Sequence, residues 1–508
     1  MIQIQNLKIT NKNTLRVIVE GLSFVLHNGD KAALIGEEGN GKSTILKALC
    51  NEALVASYAV CEGVVSRGNA IGGYVAQELT EEQKAQAICD YFTEQGGTAW
   101  SEEAIDAALR VGLDPMLFTE DRPIGSLSGG EKIKLQIAML LMRGTDWLLL
   151  DEPTNDLDLD TLVWLESFLL SYPGPILFVS HDETLLERVA NIVIHMEQVR
   201  KKTLARHTVA RCGYTAYTTQ RSAALSHQEQ VARKEAADYE RKLQRWEEIY
   251  REVDTAQKNI SRADPGGGRL LKKKMKSILA QERRFEREKE NQTQLPDVED
   301  AIFLDFSPTI ALPSGKIVMD YSLDVLQAGD TVLARDIHLV MHGGEHAAIV
   351  GTNGCGKTTL IRKIAKSLHG RQDIRVAYMS QDYTEVLVPD QTPVDFLAPS
   401  GNKDDITVAR SYLGSLRFTR DEMLSKHCEL SGGQRAKLIF LKMVLDEVDV
   451  LVLDEPTRNL SPMSAPVIRR ILQKFKGTIL CVTHDRKLLA EVFSTVYRLT
   501  ADGLVKES

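Results

Sequence analysis

The chain has 508 residues, a net charge of -8, 43% hydrophobic and 26% charged residues, proportions ordinary for a folded soluble protein. That length is too great for a single core and implies about two to four domains. No apolar run reaches the roughly 18 residues a membrane span needs. Cysteines at 50, 61, 89, 212, 355, 428 and 481 include no Cys-x-x-Cys pair, so no disulfide framework, zinc site or iron–sulfur centre is expected and a reducing cytoplasm fits.

The N-terminal run from Met1 to Ile9 alternates like a strand and is not a signal peptide. Lys31–Ile35 is a short apolar strand feeding Gly36-Glu-Glu-Gly-Asn-Gly-Lys-Ser43, and a helix follows over Ser43–Leu49. Next come Gln77, then Leu127-Ser-Gly-Gly-Glu131, then two buried-type strands, Trp147–Leu150 and Ile176–Val179. The first of these runs into Asp151-Glu-Pro-Thr and the second into His181-Asp182.

The same series returns after residue 300. His346–Val350 feeds Gly351-Thr-Asn-Gly-Cys-Gly-Lys-Thr358, with a helix over Thr358–Leu368, then Gln381 and Leu430-Ser-Gly-Gly-Gln434. Val450–Leu453 leads into Asp454-Glu-Pro-Thr, and Ile479–Val482 into His484-Asp485. Ser128 and Asp151 are 23 residues apart, as are Ser431 and Asp454; Glu152 and His181 are 29 apart, as are Glu455 and His484. The halves are therefore duplicated domains, expected at 1–200 and 301–508, the second ending near Thr500. Strand, glycine loop, helix and further buried strands make each an α/β phosphate-loop NTPase domain.

The chemistry follows from the residue types. Gly36, Gly39, Gly41 and Gly351, Gly354, Gly356 let backbone N–H groups turn inward around phosphate at a helix N-terminus, where Thr44 and Thr359 also lie. Lys42 and Lys357 are expected on the β- and γ-phosphates of ATP, with the Ser43 and Thr358 hydroxyls on Mg²⁺. Asp151 and Asp454 end strands where a carboxylate holds the metal's water shell. Glu152 and Glu455 are placed to polarise the attacking water, and His181 and His484 to contact the γ-phosphate. Gln77 and Gln381 are candidate metal or water contacts. No aromatic residue is clearly placed to stack adenine.

Ser128, Gly129, Gly130 and Ser431, Gly432, Gly433 free backbone amides at a helix start. Beside Asp-Glu-Pro-Thr, these motifs resemble the signature of ATP-binding cassette ATPases over both halves. The resemblance implies a head-to-tail closure on two ATPs within one monomer. Lys42, Asp151 and Glu152 would face Ser431–Gly433, and Lys357, Asp454 and Glu455 would face Ser128–Gly130. Arg458 stands where the first half has Asn155, and Ser461 where it has Asp158, so unequal hydrolysis rates are an expectation and neutral drift the alternative.

Between Arg200 and Glu290 lie 23 Lys and Arg against 13 Asp and Glu, a balance of +10 that leaves -18 for the remainder. A basic middle on an acidic body points to a polyanionic partner, a solvated helix being the bland alternative. Tyr239, Leu243, Trp246, Tyr250, Val253 and Ile260, then Leu271, Met275, Ile278 and Phe285, read as an antiparallel coiled-coil hairpin within 201–300. Its break is Asp264-Pro-Gly-Gly-Gly268, read as a helix stop and turn. A first helix from Tyr214 to Ala263 spans roughly 75 Å at ~1.5 Å per residue. Lys258, Arg262, Arg269, Lys272, Lys273, Lys274 and Lys276 flank the turn, a pattern suited to nucleic-acid phosphates.

Two cassettes and a charged helical hairpin, with no membrane domain, resemble the F subfamily of ATP-binding cassette proteins across essentially the whole chain. That resemblance implies a ribosomal partner: binding at the E site of the 50S subunit in the ATP state, with the hairpin tip on P-site tRNA or ribosomal RNA. The 50 residues from Gln77 to Leu127 and 49 from Gln381 to Leu430 leave no room for the extra arm some members carry. Gln434 and the Arg458–Ser461 departure look like Gram-positive resistance-type members, which implies antibiotic ribosomal protection. The alternatives are a housekeeping factor for stalled ribosomes, an exporter's detached ATPase and a DNA-acting ATPase.

Overall fold

The computed structural model describes residues 1–94, 96–98, 100–199, 204–259, 265–290, 293 and 312–507. It divides into two compact units, Met1–Tyr214 with Glu299–Ser508, and Thr215–Val298.

In the first unit each half has an α/β sheet. Its middle strand is the one that feeds the glycine loop. The half-one strands are β1 (Ile2–Asn11), β2 (Val17–Leu26), β3 (Lys31–Ile35), β4 (Ala59–Ser66), β5 (Gly72–Val75), β6 (Trp147–Asp151), β7 (Ile176–Val179), β8 (Ile192–Val199) and β9 (Leu204–Ala210). Six of them make one sheet in the order β5-β6-β7-β3-β8-β9, parallel except for the β8–β9 pair. Every residue of β3, β6 and β7 is buried. Helices cover both faces of a parallel sheet, so its inner strands read as continuous apolar runs. The exception, Lys31, donates its ammonium to the carbonyls of Tyr172 and Gly174.

The N-terminal alternation is interrupted, and the structure accounts for it. Ile2, Ile4, Leu7 and Ile9 are all buried although Ile4 and Leu7 are an odd number of residues apart. The register of β1 against β2 shifts between them, and Asn6 takes φ 51. Such a bulge restores the inward face, and Asn tolerates the left-handed conformation it requires. The resulting antiparallel sheet, β2-β1-β4, was not legible as a sheet in the sequence.

The second half follows with β10 (Ile317–Ala328), β11 (Thr331–His342), β12 (His346–Val350), β13 (Val376–Met379), β14 (Val450–Asp454), β15 (Thr478–Val482), β16 (Thr495–Thr500) and β17 (Gly503–Glu507). Its sheet order, β13-β14-β15-β12-β16-β17, reproduces the first. The fold runs past Thr500, because Gly503 at φ 116 turns the chain back and β17 pairs antiparallel with β16.

The second unit is built on two helices, Tyr214–Asn259 and Pro265–Glu290. They are antiparallel: the Trp246 indole donates to the Ile278 carbonyl at 3.0 Å, Tyr239 meets Phe285 edge to face at 6.3 Å, and Lys242 pairs with Glu288 at 3.1 Å. Val253 and Ile278 are buried between them. The first helix has 46 residues, roughly 69 Å at ~1.5 Å each. The expected Pro-Gly-Gly-Gly turn is instead the opening turn of the second helix. Proline suits the first helical position, since its fixed φ is helical and its missing N–H is not needed there. The link between the helices, including Ile260, Arg262 and Asp264, lies outside the described residues.

Candidate functional site

Each glycine loop leaves its central strand with three glycines at positive φ. At Gly36 (φ 147) a side chain would strike the Met196 carbonyl at 2.3 Å, and at Gly41 (φ 81) the Ile18 side chain at 2.1 Å. Both positions therefore require glycine. Lys42 begins the helix Lys42–Cys50, and its buried ammonium donates to the Gly36 and Glu37 carbonyls at 2.9 and 3.1 Å. Lys357 begins Lys357–Leu368 and donates to Gly351 and Thr352, both at 2.8 Å; burial holds its pKa below the usual lysine value. Each ammonium thus rests on loop carbonyls where a phosphate would arrive.

Asp151 and Asp454 close the β6 and β14 strands, and Glu152 and Glu455, one residue on, both sit at φ 50. The left-handed conformation at a non-glycine residue is strained. It turns each glutamate out of the sheet, while its N–H stays tied to Val179 or Val482 on the next strand.

In the first half the predicted residues converge on one another. Ser43 Oγ donates to Asp151 at 3.0 Å, and the Tyr74 hydroxyl to the other carboxylate oxygen at 3.1 Å. Glu152 accepts from Gln77 at 3.0 Å and from Asn155 at 2.8 Å, and meets His181 Nε2 at 3.1 Å. Burial pushes the Glu152 pKa up, but the charges of His181 and Lys42 and these hydrogen bonds outweigh it and bring it to about 2. His181 Nδ1 lies 2.7 Å from the Leu460 carbonyl of the second half.

In the second half the same positions are less satisfied. Both oxygens of Asp454 are buried, and among the described residues neither has a hydrogen-bond partner of good geometry; burial raises its pKa to about 6 although the nearby Thr358 hydroxyl and the Arg362 and Lys357 charges pull it down. Among the described residues Glu455 accepts a long 3.4 Å bond from the His484 backbone N–H and its other oxygen lies 3.8 Å from His484 Nε2; burial and the Asp454 charge push it up to about 8. Burial and the Lys357 charge push His484 down to about 4. An orphaned buried carboxylate next to a threonine hydroxyl fits a hard divalent cation with oxygen ligands. Among the described residues no group of three His, Cys, Asp or Glu is placed to hold a metal ion.

The halves meet head to tail. A cavity of about 480 Å³ is lined by Gly129, Asn155 and His181 from the first half and by Lys357, Thr358, Thr359, Gln381, Glu455 and His484 from the second. Aliphatic Ala328 and Leu333 line it, with no aromatic ring for a base. Asn353 in the second glycine loop donates to the Asp156 carbonyl across this seam, and Arg458 pairs with the Asp156 carboxylate at 3.0 Å. Arg458, which the sequence marked only as a departure, thus joins the two halves.

The opposite seam is built differently. Glu38, at the position equivalent to Asn353, accepts from the Gly433 backbone N–H at 2.6 Å, and Glu37 pairs with Lys437 at 2.8 Å. Gly433 lies in the first turn of Gly432–Leu445, capped by Ser431, which also receives the Gln434 N–H. A carboxylate therefore occupies the positive end of the helix that starts at the second signature motif. The cavity here, about 230 Å³, is lined by Glu37, Glu38, Gly39, Asn40, Ser431, Gly433 and Lys437. The sequence analysis gives Glu37 and Glu38 no role, although two adjacent acids in a phosphate-binding loop are a visible signal.

On the hairpin, Arg269, Lys272, Lys273, Lys274 and Lys276 are exposed, and none forms an ion pair among the described residues. Lys258 is tied to Asp254 at 2.7 Å on its own helix.

A family model described as ABC transporter matches residues 19–155 and 334–458. The chain is 27% identical to the probable ATP-binding protein YheS of Escherichia coli K12, over 98% of this chain and 78% of that one. It is 29% identical to the putative ATP-binding protein YdiF of Bacillus subtilis, over 96% and 78%. It is 26% identical to ABC transporter F family member 2 of Arabidopsis thaliana, over 96% and 75%. Among solved structures, a complex of the archaeal ribosome recycling factor aABCE1 with the ribosomal stalk protein aP1 aligns with a TM-score of 0.59. That likeness, at 17% identity over 99% of this chain and 90% of the other, is one of fold.

Proposed function

Because the chain belongs to the ATP-binding cassette family, which matches it over both halves, and groups with tandem-cassette F-type ATPases, we propose that it is an ATP-gated ribosome-binding factor. The observation that carries this reading is the hairpin. Five exposed cations with no ion pair among the described residues lie within eight residues at the start of its second helix, a charge density suited to an RNA backbone. No described helix is long and apolar enough to cross a membrane. Two solved relatives in fold are described as a ribosome recycling factor and as ribosome-bound, which supports the same direction.

In this proposal Lys42 and Lys357 exchange loop carbonyls for ATP phosphates, and the signature amides at Ser128–Gly130 and Ser431–Gly433 meet the nucleotide from the other half. Glu152 and Glu455 orient water and take its proton, while His181 and His484 hold the terminal phosphate. Ser43 with Asp151, and Thr358 with Asp454, would hold Mg²⁺, which when bound neutralises phosphate charge. ATP binding stabilises the closed pair of cassettes, and hydrolysis returns the open form.

The two sites are not equivalent in this scheme. The cavity around Lys357 is roomy, and both oxygens of Asp454 and one of Glu455 have no hydrogen-bond partner among the described residues. On the other seam Glu38 already fills the helix N-terminus. The site around Lys357 is the one that reads nucleotide state, and the site around Lys42 holds the halves together. At the ribosome, the proposal puts the protein at the E site of the 50S subunit, with Lys272–Lys276 on P-site tRNA or ribosomal RNA. It assigns the protein to relief of drugs bound near the peptidyl transferase centre.

Sedimentation with ribosomes under a non-hydrolysable ATP analogue, against ADP, tests the binding step; equal sedimentation in both states contradicts it. Translation in vitro with a lincosamide, a pleuromutilin or a streptogramin, with and without the protein, tests the drug step. Rescue of stalled but drug-free ribosomes alone assigns the housekeeping role instead.

A further inference from the structure

The two cassettes meet through a second contact, bordering the cavity around Lys357 at Asp182 and Asp485, whose charges are reversed from one half to the other. Residues of the halves correspond at an offset of 303, the separation of Asp151 from Asp454. At three corresponding pairs the sign inverts: Glu166 with Arg469, Glu183 with Arg486, and Arg188 with Glu491. Each member makes the same contact as its counterpart. Glu166, on the helix Leu159–Ser171, is bonded within its own cassette by Arg188 at 2.7 Å and reached across the seam by Arg486 at 2.5 Å. Arg469, on Ala465–Lys474, is bonded within its own cassette by Glu491 at 3.0 Å. Across the seam it holds Glu183 through two bonds of 2.6 and 3.1 Å.

Two further positions enlarge the difference. Lys487 stands where the first half has Thr184 and reaches Glu183 at 3.2 Å and Glu187 at 2.5 Å; Ala490 stands where the first half has Glu187. Asp182 and Asp485 are alike in both halves, and Asp182 holds Arg486 at 2.9 Å. The centre of the contact is nearly dry, with the side chains of Arg469, Glu183 and Glu166 4%, 7% and 4% exposed and that of Arg486 18% exposed, while Arg188 and Glu491 at its edge are exposed.

We infer that this contact is a charge key that lets a first cassette pair only with a second cassette. Two first cassettes placed in this arrangement would set Glu166 against Glu183 at both contacts. Two second cassettes would set Arg469 against Arg486. Like charges forced together in a dry contact are strongly unfavourable, whereas opposite charges with satisfied hydrogen bonds are tolerated. The glycine-loop and signature motifs are similar enough in the two halves for like cassettes to form plausible nucleotide sites, so they give weak discrimination by themselves. The key supplies it, and it selects the chain's own second cassette as the partner of its first. This inference rests on the cassette seam alone and stands apart from the ribosome reading.

The test exchanges the key within the full chain. One variant gives the second cassette the first cassette's residues: Arg469→Glu, Arg486→Glu, Lys487→Thr, Ala490→Glu and Glu491→Arg. A second makes the converse change: Glu166→Arg, Glu183→Arg, Thr184→Lys, Glu187→Ala and Arg188→Glu. A third combines both. The inference predicts that each half-exchange loses ATPase activity by at least about tenfold, since both contacts become like-charged. It also predicts that the full exchange returns to within about threefold of the natural chain. Recovery in the full exchange separates broken pairing from broken folding. Undiminished activity in either half-exchange overturns the inference, and so does a full exchange no better than its halves.

Discussion

The closing of one seam by the protein's own carboxylates has a direct consequence. Replacing Glu37 with Thr and Glu38 with Asn gives the first glycine loop the residues that Thr352 and Asn353 supply in the second. Two contacts between the halves disappear, the 2.6 Å bond from the Gly433 N–H to Glu38 and the 2.8 Å pair of Glu37 with Lys437. A hydrogen bond to a charged group contributes about 1.5–3 kcal/mol, and the lower end applies to Glu38, which stays exposed elsewhere. The Glu37 pair, with side chains 22% and 10% exposed, adds about 0.5 kcal/mol. The nucleotide-free closed form should therefore lose about 2 kcal/mol, a change of roughly thirtyfold in its equilibrium. At the same time the site around Lys42 loses two negative charges, so ATP should bind there more tightly. Distance measurements between spin or dye labels on the two cassettes, with and without ATP, read the first effect, and nucleotide titration of the Glu455→Gln background reads the second. An unchanged nucleotide-free closed population, together with unchanged ATP affinity, refutes the reasoning.

The two glutamates next to the strand ends should respond oppositely to pH in nucleotide- and metal-free protein. Glu455, raised to about 8, contributes fully below about pH 4.5 and loses that contribution as pH rises through about 8. Glu455→Gln should therefore stabilise relative to the natural chain at pH 9 and much less at pH 5. Glu152, lowered to about 2, contributes above about pH 4.5, so Glu152→Gln should destabilise at neutral pH by something on the order of 2 kcal/mol. Thermal melts of both variants at pH 5, 7 and 9 check this, and shifts of the same sign in both contradict it. Replacing Lys272, Lys273 and Lys274 with Ala should weaken ribosome association and lower the slope of log affinity against log salt by up to about 2. An unchanged slope in a filter-binding titration means that these lysines do not touch phosphate.

The central strands and phosphate loops were legible because their signals are local and strict. A buried parallel strand must be apolar throughout, and a loop that wraps phosphate must carry glycine where a side chain would strike backbone, as at Gly36. The repeat then showed that the two halves are duplicated domains, while the strand order of each sheet came only from the structure. The hairpin seam was legible from spacing, but its turn was misplaced, since proline and glycine are compatible with both the end of one helix and the first turn of the next. The β2-β1-β4 sheet was hidden by the bulge at Asn6, which breaks the alternation a strand is read by. The charge key was hidden for a different reason. Glu166, Arg469 and their partners sit on helices where charged residues are commonplace, and only the contact across the seam shows that the signs are reversed in register. Glu38 shares that property, because its meaning comes from a backbone amide 395 residues away in the chain.

In the proposed function, ATP binding through these two cassettes commits the chain to the ribosome. The most direct test is sedimentation of the Glu152→Gln, Glu455→Gln double variant with purified ribosomes and ATP, followed by imaging of the complex. The account predicts loss of turnover by at least about a hundredfold, retained ATP, and stable ATP-dependent co-sedimentation with Lys272–Lys276 against tRNA or ribosomal RNA. Retained ATP with no ATP-dependent ribosome binding would contradict it.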